Sequence, residues 1–567
     1  MANTTQRKVV VIGGVALGAG VAAKVRREDE QAEIIMIERG PFVSFANCGL
    51  PYYLSGVIED REALLLHTPE SLRNRFNIDV RVLQEATGIQ RDRKVVHIRN
   101  LQTGVSYDQP YDKLVLAMGA DPIVPHIPGL DLNGIFQVRT VPDADSIRSW
   151  MADPGVHSAV VIGAGFIGIE TVENLVHAGL HVTLIEKAPQ VLPVFDIEMT
   201  ALVLSQLQDM GVDVLLGDGI RSFEGDVQAT SVTLESGKTV AADMFILGMG
   251  VRPNTQLART AGLELGPNGA LHLNQYLQTS DPDIYGGGDM AEIVHLVDGE
   301  RRWIPLAGPA NKQARIIGQN VCGKTVTFHG AQGTSIVGIG DVVLGITGLS
   351  EQAANALEIP NLVSYNTLGH HAGYYPGALD ITIKLIFDPT TGRLLGGQVA
   401  GQQGVDKRLD VLATAIYNEM TVSELTELDL AYAPPFSSAK DPLIMAGMVA
   451  ENLLNRSAVS VYEPTDLGDS SVLLLDVRSD REVALGMLPG AKHIPLDQLR
   501  QRVHELDRNK PVIVYCRIGQ RSYFASRFLR GQGFTQVYTL NGGYVVEQMR
   551  ETIAASNVTA PLSHAII

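Results

Sequence analysis

Apolar and polar positions along the first part of the chain follow a strand–helix–strand pattern that occurs twice. Residues 8–12 (Lys-Val-Val-Val-Ile) form an apolar run that ends at two glycines, which is typical of a buried parallel strand. A helical segment rich in Ala and Val follows, and residues 33–38 form a second strand. The same order recurs at residues 159–168 and 181–186. The pattern predicts two separate α/β units of the kind that binds nucleotides.

The pattern changes in the second half of the chain. Residues 330–450 show strands followed by helices, which indicates an α+β region. Residues 455–471 are polar and lack periodicity, so we predict a linker there. A further compact α/β module starts at residue 472 and reaches Tyr544, and the tail after Met549 is predicted to be loosely ordered.

Composition narrows the class of protein. Of the 567 residues, 45% are hydrophobic and 19% charged, which argues against disorder and coiled coil. The formal net charge of −17 argues against non-specific nucleic-acid binding. No charge-free apolar stretch has the roughly 18 residues of a spanning helix, and no signal-like segment precedes the first strand. Three well-separated cysteines exclude a disulfide scaffold, and no metal site is predicted. We therefore expect a cytoplasmic protein with no nucleic-acid or membrane partner.

The second α/β unit carries the more complete dinucleotide motif. Gly163, Gly165 and Gly168 follow a strand and open a helix. The first glycine permits a tight turn, the second admits a pyrophosphate to the backbone, and the third permits close packing. Glu186 ends the next strand, where a carboxylate binds both ribose hydroxyls and repels a 2′-phosphate. The motif predicts NADH, with NADPH as the alternative coenzyme and a purely structural glycine turn as the alternative interpretation.

The first α/β unit has a less regular motif. Gly13, Val15 and Gly18 occupy the three motif positions, and Glu38 ends the second strand. Two later apolar strands end in glycine segments, at Gly119 and at Gly250. A third segment, residues 279–289, ends in Asp289, which could bind a hydroxyl of a ligand.

Over residues 7–450 these motifs resemble, in the same order, the flavoprotein disulfide reductases with two dinucleotide-binding domains. The resemblance implies FAD in the first unit, NADH in the second and a homodimer. It also implies an FAD-binding domain at 1–152 and 278–330, an NAD-binding domain at 153–277 and a dimerisation domain at 331–454. The implied cofactor-binding residues are Gly13, Gly18, Glu38, Arg39, Gly119, Asp289 and Ala310 for FAD, and Gly163, Gly165, Gly168, Glu186 and Gly250 for NADH.

Cys48 distinguishes this chain from most of those reductases, which use two cysteines on one helical turn. Residues 44–53 contain one thiol and no partner. A single thiol must cycle through a mixed disulfide, a persulfide or a sulfenic acid. The alternative is an inert buried cysteine. We interpret Cys322 as a packing residue.

The segment around Cys48 resembles the coenzyme A disulfide reductases and NADH-dependent persulfide reductases. That resemblance implies two catalytic tyrosines, donated by the dimer partner, and Tyr374 and Tyr432 match them, with Tyr375 as the neighbouring alternative. A phenol near a nascent thiolate can donate a proton. The family also cradles coenzyme A, as substrate or bound ligand, near the first helix and the cysteine loop. The candidates by position are Lys24, Arg27, Ser44, Phe45, Asn47 and Arg315.

Residues 472–550 resemble a rhodanese domain. A strand delivers Cys516, and the loop Cys516-Arg517-Ile518-Gly519-Gln520-Arg521 leads into a helix. Such a loop directs backbone N–H groups at the sulfur, and Arg517 and Arg521 are predicted to stabilise a thiolate or persulfide beside it. The fold class implied for the whole chain is α/β with two Rossmann-like dinucleotide-binding domains, an α+β dimerisation domain and a C-terminal α/β rhodanese domain.

These features predict a reductase for persulfides, polysulfides and coenzyme A disulfide, with Cys516 collecting sulfane sulfur and Cys48 acting as the redox thiol. One alternative is an NADH oxidase or peroxidase that cycles Cys48 through a sulfenic acid. Those relatives place a histidine in the first glycine turn, where this chain has Val15-Ala16-Leu17. The other alternative is a sulfur-carrier or redox-sensing protein with a regulatory flavin.

Overall fold

The computed structural model describes residues 6–466 and 472–556 of the chain. The chain forms two compact units, Met1–Ile185 with Gly219–Gly333 and Glu186–Asp218 with Thr334–Ile567. Within the described ranges, no helix is both long enough and apolar enough to cross a membrane.

Strand–helix–strand repeats occur at residues 8–37 and 158–186, as the sequence pattern predicts, whereas residues 79–137 and 213–253 contain strands with no helix between them. The strands up to residue 186 are β1 (Lys8–Ile12), β2 (Glu33–Ile37), β3 (Asp79–Arg81), β4 (Gln84–Gln90), β5 (Val95–Asn100), β6 (Ser106–Pro110), β7 (Lys113–Leu116), β8 (Ala120–Pro122), β9 (Ile135–Gln137), β10 (Ser158–Ile162) and β11 (His181–Glu186). The next are β12 (Asp213–Leu216), β13 (Ile220–Gly225), β14 (Ala229–Leu234), β15 (Thr239–Ala241), β16 (Met244–Leu247), β17 (Val251–Pro253), β18 (Ile284–Gly286), β19 (Glu292–Val294) and β20 (Arg301–Trp303). The remainder are β21 (Ser335–Ile339), β22 (Val342–Gly348), β23 (Leu362–Gly369), β24 (Asp380–Phe387), β25 (Leu394–Gly401), β26 (Ser460–Val461), β27 (Leu473–Asp476), β28 (Lys492–His493), β29 (Val512–Tyr515) and β30 (Val537–Leu540).

The helices lie mainly in the connections between these strands. Up to residue 260 they are α1 (Ala16–Glu28), α2 (Leu50–Ser55), α3 (Pro69–Phe76), α4 (Val141–Met151), α5 (Phe166–His177), α6 (Ala201–Asp209) and α7 (Gln256–Thr260). Those that follow are α8 (Ala307–Val321), α9 (Glu351–Ala356), α10 (Val405–Tyr417), α11 (Val422–Thr426), α12 (Pro442–Leu454), α13 (Asp480–Val483), α14 (Leu496–Arg502), α15 (Gln520–Gly531) and α16 (Gly543–Ala555).

The first unit contains a parallel sheet of order β18-β7-β1-β2-β3. β1 lies at its centre, between β2 and β7, and Val9, Val10 and Val11 have no exposed surface. Consecutive β-branched residues form such a strand because both faces of the sheet are covered. α1 packs so closely on α8 that a Cβ added at Gly20 would lie 2.9 Å from the Cβ of Ala314. The predicted buried parallel strand is confirmed.

The first unit also contains the second strand–helix–strand repeat. β10 pairs in parallel with β11 on one side and with β16 on the other, and β16 pairs with β9. Two antiparallel three-stranded sheets, β4-β5-β6 and β13-β14-β15, accompany these parallel sheets. Both glycine motifs therefore follow the central strand of a parallel sheet, at its carboxyl end, where ligands bind in folds of this class.

The second unit contains an antiparallel sheet of order β21-β22-β25-β24-β23. A fully buried lysine, Lys384 of β24, lies between three carboxylates. Its Nζ lies 2.8 Å from Asp196 Oδ2, 2.5 Å from Glu198 Oε1 and 2.7 Å from Glu351 Oε2. Burial disfavours the ammonium, but the carboxylates of Asp196 and Glu198 raise the pKa of Lys384 well above its ordinary value. Burial likewise disfavours the Glu198 carboxylate, yet Lys384 lowers the pKa of Glu198 to about 2.

A second sheet in this unit, of order β26-β30-β29-β27-β28, is parallel and carries Cys516 at the end of β29.

The structure corrects two expectations about the ends of this module. The predicted linker 455–471 contains β26, which pairs with β30, and a strand of two residues is too short to show periodicity. Its residues 467–471 lie outside the described residues. The predicted loose tail after Met549 is helical as far as Ala555, because Met549 and Ile553 pack on Ala201 and Leu204, and residues 557–567 lie outside the described residues.

Replacing Lys384 with Met should destabilise the protein strongly, because three buried carboxylates lose their cation. Breaking a buried ion pair from one side costs about 3–5 kcal/mol. We expect a loss of that size in the free energy of unfolding, measured with denaturant near neutral pH. The loss should be smaller at about pH 5, because the orphaned carboxyls then take up protons in the folded state. Lys510→Met, at an exposed position, is the control. Equal stability of the two variants would contradict this account.

Candidate active sites

The first glycine motif forms a tight backbone contact at the end of β1. Gly13 has a φ of 99°, and a Cβ added there would lie 2.2 Å from the carbonyl oxygen of Ala117. A Cβ at Gly18 would lie 1.8 Å from the carbonyl oxygen of Gly13. Only glycine fits at these two positions, which explains the first and third positions of the motif.

Acidic residues at the end of the second strand of each repeat are held by backbone N–H groups. Glu38 accepts hydrogen bonds from the N–H of Gly14 at 2.8 Å and of Gly40 at 2.7 Å. Glu186 accepts one from the N–H of Ala188 at 2.7 Å. Backbone N–H groups thus orient both carboxylates, and a carboxylate is the type of group that accepts hydrogen bonds from ribose hydroxyls.

A cavity of about 890 Å³ extends from the first glycine motif within the first unit. This volume lies in the range of about 300–1,000 Å³ found for small-molecule and cofactor sites. Burial raises the pKa of Asp289 in this cavity, and Arg139 opposes that shift. The predicted cofactor residues on its lining are Gly13, Glu38, Arg39, Gly119, Asp289 and Ala310, and the predicted substrate residues there are Phe45 and Asn47. The residues therefore fit the predicted FAD, whereas Gly18 serves the turn.

The second glycine motif repeats the contacts of the first. A Cβ at Gly163 would lie 2.3 Å from the carbonyl oxygen of Gly248, and one at Gly168 would lie 1.9 Å from that of Gly163. Gly165, at the N-cap of α5, has no atom within 4 Å of an added Cβ, so its backbone faces open space. Gly250 has a φ of 88° in the segment after β16. The open backbone at a helix N-terminus fits the predicted pyrophosphate of NADH.

Cys48 lies in a short 3₁₀ helix, Asn47–Gly49, directly before α2. The loop that carries it is joined to the first glycine motif, because the N–H of Ser44 donates to the carbonyl of Gly14 at 2.8 Å. Ser44 itself is buried, with a φ of 48°. All three cysteines are free, and Cys48 is exposed, so the inert buried alternative does not describe it. Cys322 packs partly buried against the core of the first unit, in accord with its predicted packing role.

The charges around Cys48 disfavour its thiolate. Partial burial raises the pKa of the Cys48 thiol, and the carboxylates of Glu170 and Asp289 raise it further, while Arg139 lowers it. Glu170 lies on α5, and burial together with Glu173 raises the pKa of Glu170 to about 7. α5 is tied to α2 by a hydrogen bond of 2.6 Å from the Ser55 hydroxyl to Asn174. The ionisations of Cys48 and Glu170 are therefore coupled.

The predicted coenzyme A residues differ in their availability. Lys24 Nζ lies 2.5 Å from Glu28 Oε1, and Lys324 Nζ lies 2.6 Å from Glu28 Oε2. An incoming phosphate must therefore compete with Glu28 for Lys24. The two lysines lower the pKa of Glu28 to about 2. Arg27 on α1 and Arg315 on α8 are exposed. The structure brings Phe45 and Asn47 to the cavity.

The two predicted tyrosines are brought together in the second unit. The hydroxyl oxygens of Tyr374 and Tyr432 lie 2.9 Å apart, and both side chains are exposed. This hydrogen bond raises the pKa of the Tyr374 phenol. Tyr375 instead packs its ring on His371, at 5.5 Å between ring centroids. The geometry therefore favours Tyr374 over Tyr375 as the partner of Tyr432.

Cys516 is fully buried at the end of β29. Its Sγ accepts the backbone N–H of Gly519 at 3.2 Å and lies 3.8 Å from the Ser522 hydroxyl. Gly519 is the N-cap of α15, so the sulfur lies at the positive end of a helix. The turn 541–545 supports the loop, because the N–H of Tyr544 donates to the carbonyl of Cys516 at 2.9 Å. One backbone N–H, that of Gly519, is therefore directed at the sulfur, in the manner predicted for a rhodanese loop.

Both arginines of the Cys516 loop are paired with carboxylates. Arg521 binds Glu482 through two hydrogen bonds of 2.7 and 2.5 Å. Glu482 raises the pKa of the Arg521 guanidinium, and Cys516 also contributes to that shift. Arg517 forms an ion pair with Asp380, at the start of β24.

Three functional candidates were missed by sequence reasoning. Glu170 lies seven positions after Gly163, on the helix that the glycine motif opens. Its distance from the motif could have marked it as a candidate in the sequence. Glu482 belongs to a capping box with Ser479, whose spacing is also readable. Asp380 has no local signal, because its partner Arg517 is 137 residues away.

The comparisons with known proteins cover nearly the whole chain. Residues 7–314 match the family described as pyridine nucleotide-disulphide oxidoreductase, residues 334–443 its dimerisation domain and residues 460–546 a rhodanese-like domain. Among curated relatives, an NADH oxidase of Methanocaldococcus jannaschii is 35% identical over 79% of this chain and 99% of its own length. A coenzyme A disulfide reductase of Staphylococcus aureus is 34% identical over 78% of this chain and 100% of its own length.

Two solved structures include the C-terminal module. Reduced Bacillus anthracis CoADR-RHD is 43% identical, with a TM-score of 0.94, and the match covers 97% of this chain and 99% of that one. An NAD-dependent persulfide reductase from A. fulgidus is 37% identical, with a TM-score of 0.90, and the match covers 95% of this chain and 99% of that one. The expected fold class is confirmed.

Replacing Glu170 with Gln should make the Cys48 thiol more acidic, because it removes a negative charge that opposes the thiolate. We expect the pKa of Cys48 to fall, so the alkylation rate of Cys48 should rise at a given pH. The measurement is the alkylation rate of Cys48 against pH, followed on its peptide by mass spectrometry. The difference should be largest above about pH 7, because Glu170 in the native protein is protonated below that value. Glu59→Gln, at an exposed position, is the control, and an equal shift in both variants would refute the coupling.

Proposed function

The chain belongs to the pyridine nucleotide-disulphide oxidoreductase family, and we propose that it reduces persulfides, polysulfides and coenzyme A disulfide at the expense of NADH. One observation carries the proposal. An exposed free thiol, Cys48, follows directly after Asn47 at the edge of the cavity lined by the first glycine motif. A single thiol in this place acts on sulfur–sulfur bonds through a mixed disulfide or persulfide.

We propose that FAD occupies the 890 Å³ cavity and that NADH binds at the second glycine motif. Bound FAD would supply the transfer of reducing equivalents from NADH to a sulfur–sulfur bond. Glu38 would hold a ribose of FAD, and Glu186 a ribose of NADH, because both carboxylates are positioned by backbone N–H groups. Glu186 favours NADH over NADPH by repelling a 2′-phosphate.

Cys48 would act as the nucleophile. Its thiolate attacks a sulfur of the substrate, a Cys48–sulfur bond forms, and the second sulfur leaves as a thiolate or hydrosulfide. Since partial burial and nearby carboxylates raise the pKa of Cys48, the thiolate forms more readily when Glu170 is protonated. Tyr374 and Tyr432 would donate a proton to the leaving group, because their paired phenols share a hydrogen bond.

We propose a homodimer in which these tyrosines face the partner subunit's Cys48 site. The support is a match of residues 334–443 to a dimerisation domain and a set of exposed aromatic side chains in that segment. These side chains are Tyr374 (75% exposed), Tyr375 (42%), Tyr432 (49%) and Phe436 (71%). Aromatic residues are enriched at protein interfaces, where their large surfaces become buried.

Coenzyme A, as a disulfide or a persulfide carrier, is the substrate that we propose for the Cys48 site. Phe45 and Asn47 would contact it at the cavity, and Arg27, Arg315 and Lys24 would meet its phosphates. The support is the relative named coenzyme A disulfide reductase and the exposed guanidinium groups of Arg27 and Arg315. We propose a cytoplasmic location, because a reducing compartment keeps such thiols free.

The rhodanese-like module would supply the sulfur. The Cys516 thiolate attacks a donor, takes its sulfane sulfur as a persulfide and passes it to a thiol carrier for reduction at the Cys48 site. The backbone N–H of Gly519 and the N-terminus of α15 would stabilise the charge on sulfur. Because both modules lie on one chain, the effective concentration of the Cys516 persulfide at the Cys48 site is higher than it would be for two separate proteins.

An NADH oxidase is the second candidate, because the relative from M. jannaschii carries that name. In that reaction Cys48 would cycle through a sulfenic acid with oxygen or peroxide as the oxidant. This reading leaves Cys516 without a role. NADH consumption under air, measured without any sulfur substrate, separates the two candidates: rates with oxygen that exceed those with persulfides would favour the oxidase. Slow turnover with every oxidant would favour a redox-sensing role.

Replacing Cys48 with Ser should abolish reduction, because serine cannot form the covalent sulfur adduct. We expect anaerobic NADH oxidation with coenzyme A disulfide and with persulfides to fall about 10³-fold or more. Flavin absorbance should remain, since Cys48 is not part of the cavity lining. Cys322→Ser is the matched control and should keep its activity. Retained turnover in Cys48→Ser would exclude this thiol as the nucleophile.

Replacing Cys516 with Ser should separate the two activities. Sulfur transfer from a donor to cyanide should disappear, because the persulfide can no longer form, whereas NADH-dependent reduction of small persulfides should stay within about twofold of the native rate. Thiocyanate formation and sulfide release measure the two reactions. An equal loss of both activities would contradict separate roles for Cys516 and Cys48.

A further inference from the structure

The charges around the Cys516 loop are balanced in an unexpected way. Arg478 is buried against Asp476 with an N–O distance of 2.7 Å, and Arg521 binds Glu482. The third arginine, Arg517, is the exposed one, and it is paired with Asp380. Each guanidinium at this loop therefore has a carboxylate partner, and the three pairs carry no net charge.

Asp380 differs from the other two carboxylates because it belongs to another module. Asp476 and Glu482 lie in the rhodanese-like segment, whereas Asp380 is the first residue of β24 in the segment that matches the dimerisation domain. Its backbone is held in register with Gly369 of β23. The carboxylate is thus presented to Arg517 from a fixed strand rather than from a flexible loop.

The two modules are held together here by contacts that do not involve Asp380. The Asn541 side-chain amide donates to the carbonyl of Val363 at 2.8 Å and accepts the N–H of Tyr365 at 3.3 Å. A Cβ added at Gly542 would lie 3.0 Å from the Cβ of Tyr365. Loss of the Asp380 charge therefore leaves the Cys516 loop docked against β23.

We propose that Asp380 is a specificity-determining residue for the sulfur donor of Cys516, selecting monoanionic organic persulfides over dianions such as thiosulfate. A cation beside the sulfur would attract both donors, and a dianion twice as strongly. Asp380 cancels that attraction at Arg517, and Glu482 cancels it at Arg521. The stabilisation that remains comes from the N–H of Gly519 and the N-terminus of α15.

The transfer steps balance for both donors. With thiosulfate, the Cys516 thiolate attacks the sulfane sulfur, the bond between the two sulfurs of thiosulfate breaks, a Cys516 persulfide forms and sulfite leaves. With an organic persulfide, the same attack releases the parent thiolate. Neither step needs an external oxidant or reductant. The proposal rests on the proposed sulfur transfer at Cys516.

The test compares two donors without NADH, with cyanide as the acceptor and thiocyanate as the product. The donors are thiosulfate and the persulfide of 2-mercaptoethanol, an uncharged thiol. In Asp380→Asn we expect kcat/KM to rise roughly tenfold for thiosulfate and roughly threefold for the persulfide, since an exposed charge acts in a high effective dielectric. The ratio of the two values should therefore rise roughly threefold.

Three further variants complete the design. Asp380→Glu keeps the charge and should keep the native ratio. Asp410→Asn removes one negative charge from an exposed site on α10 and should leave the ratio unchanged. Cys516→Ser measures the background reaction of cyanide with each donor and should show no enzymatic transfer. Thermal unfolding of each variant checks that the fold is kept.

An unchanged donor ratio in Asp380→Asn, or an equal change in Asp410→Asn, would overturn the proposal while leaving sulfur transfer intact. Transfer that persists in Cys516→Ser would instead refute the proposed function of the module. The two failures are therefore distinguishable. A ratio that rises in Asp380→Asn and stays native in Asp380→Glu would establish the role of the Asp380 charge.

Discussion

The candidate sites of this chain depend on close contact between two backbone segments at the carboxyl end of a parallel strand. At Gly13 and at Gly163, an added Cβ would lie 2.2 and 2.3 Å from a carbonyl oxygen of the neighbouring segment. At Gly543, one would lie 2.6 Å from the carbonyl oxygen of Cys516. No side chain fits at these points, so the strand ends converge and their N–H groups are left to face a ligand or a sulfur.

These N–H groups explain how a chain with a net charge of −17 can bind anionic ligands. The cations near the sites are largely paired: Lys24 with Glu28, Arg521 with Glu482 and Arg517 with Asp380. Backbone N–H dipoles have fixed orientations, so they can bind an anion even where the nearby cationic side chains are paired with carboxylates. Recognition that rests on them favours ligands of defined shape over ligands of high charge.

The two reactive thiols lie in contrasting surroundings, which suits different steps of sulfur chemistry. Cys48 is exposed, and its pKa is raised by partial burial and by nearby carboxylates, so the proposed reaction with a bulky disulfide requires that a proton be taken from it. Cys516 is fully buried within its loop, and its sulfur accepts the N–H of Gly519. The first arrangement suits reduction of a carrier, and the second suits transfer of a single sulfur.

Elements whose signal is local could be predicted from the amino-acid sequence alone. The runs at β1 and β10 and the glycines after them could be predicted because β-branched runs and tight turns depend on neighbouring residues, whereas the loop of Cys516 was implied by its resemblance to a rhodanese domain. Only the tertiary structure decided that Tyr374 pairs with Tyr432, 58 residues away, and that Asp380 pairs with Arg517. The fold also places β26 in a sheet and brings the Glu170 carboxylate close enough to raise the pKa of Cys48. Such contacts depend on how distant segments pack, and no periodicity along the chain carries that information.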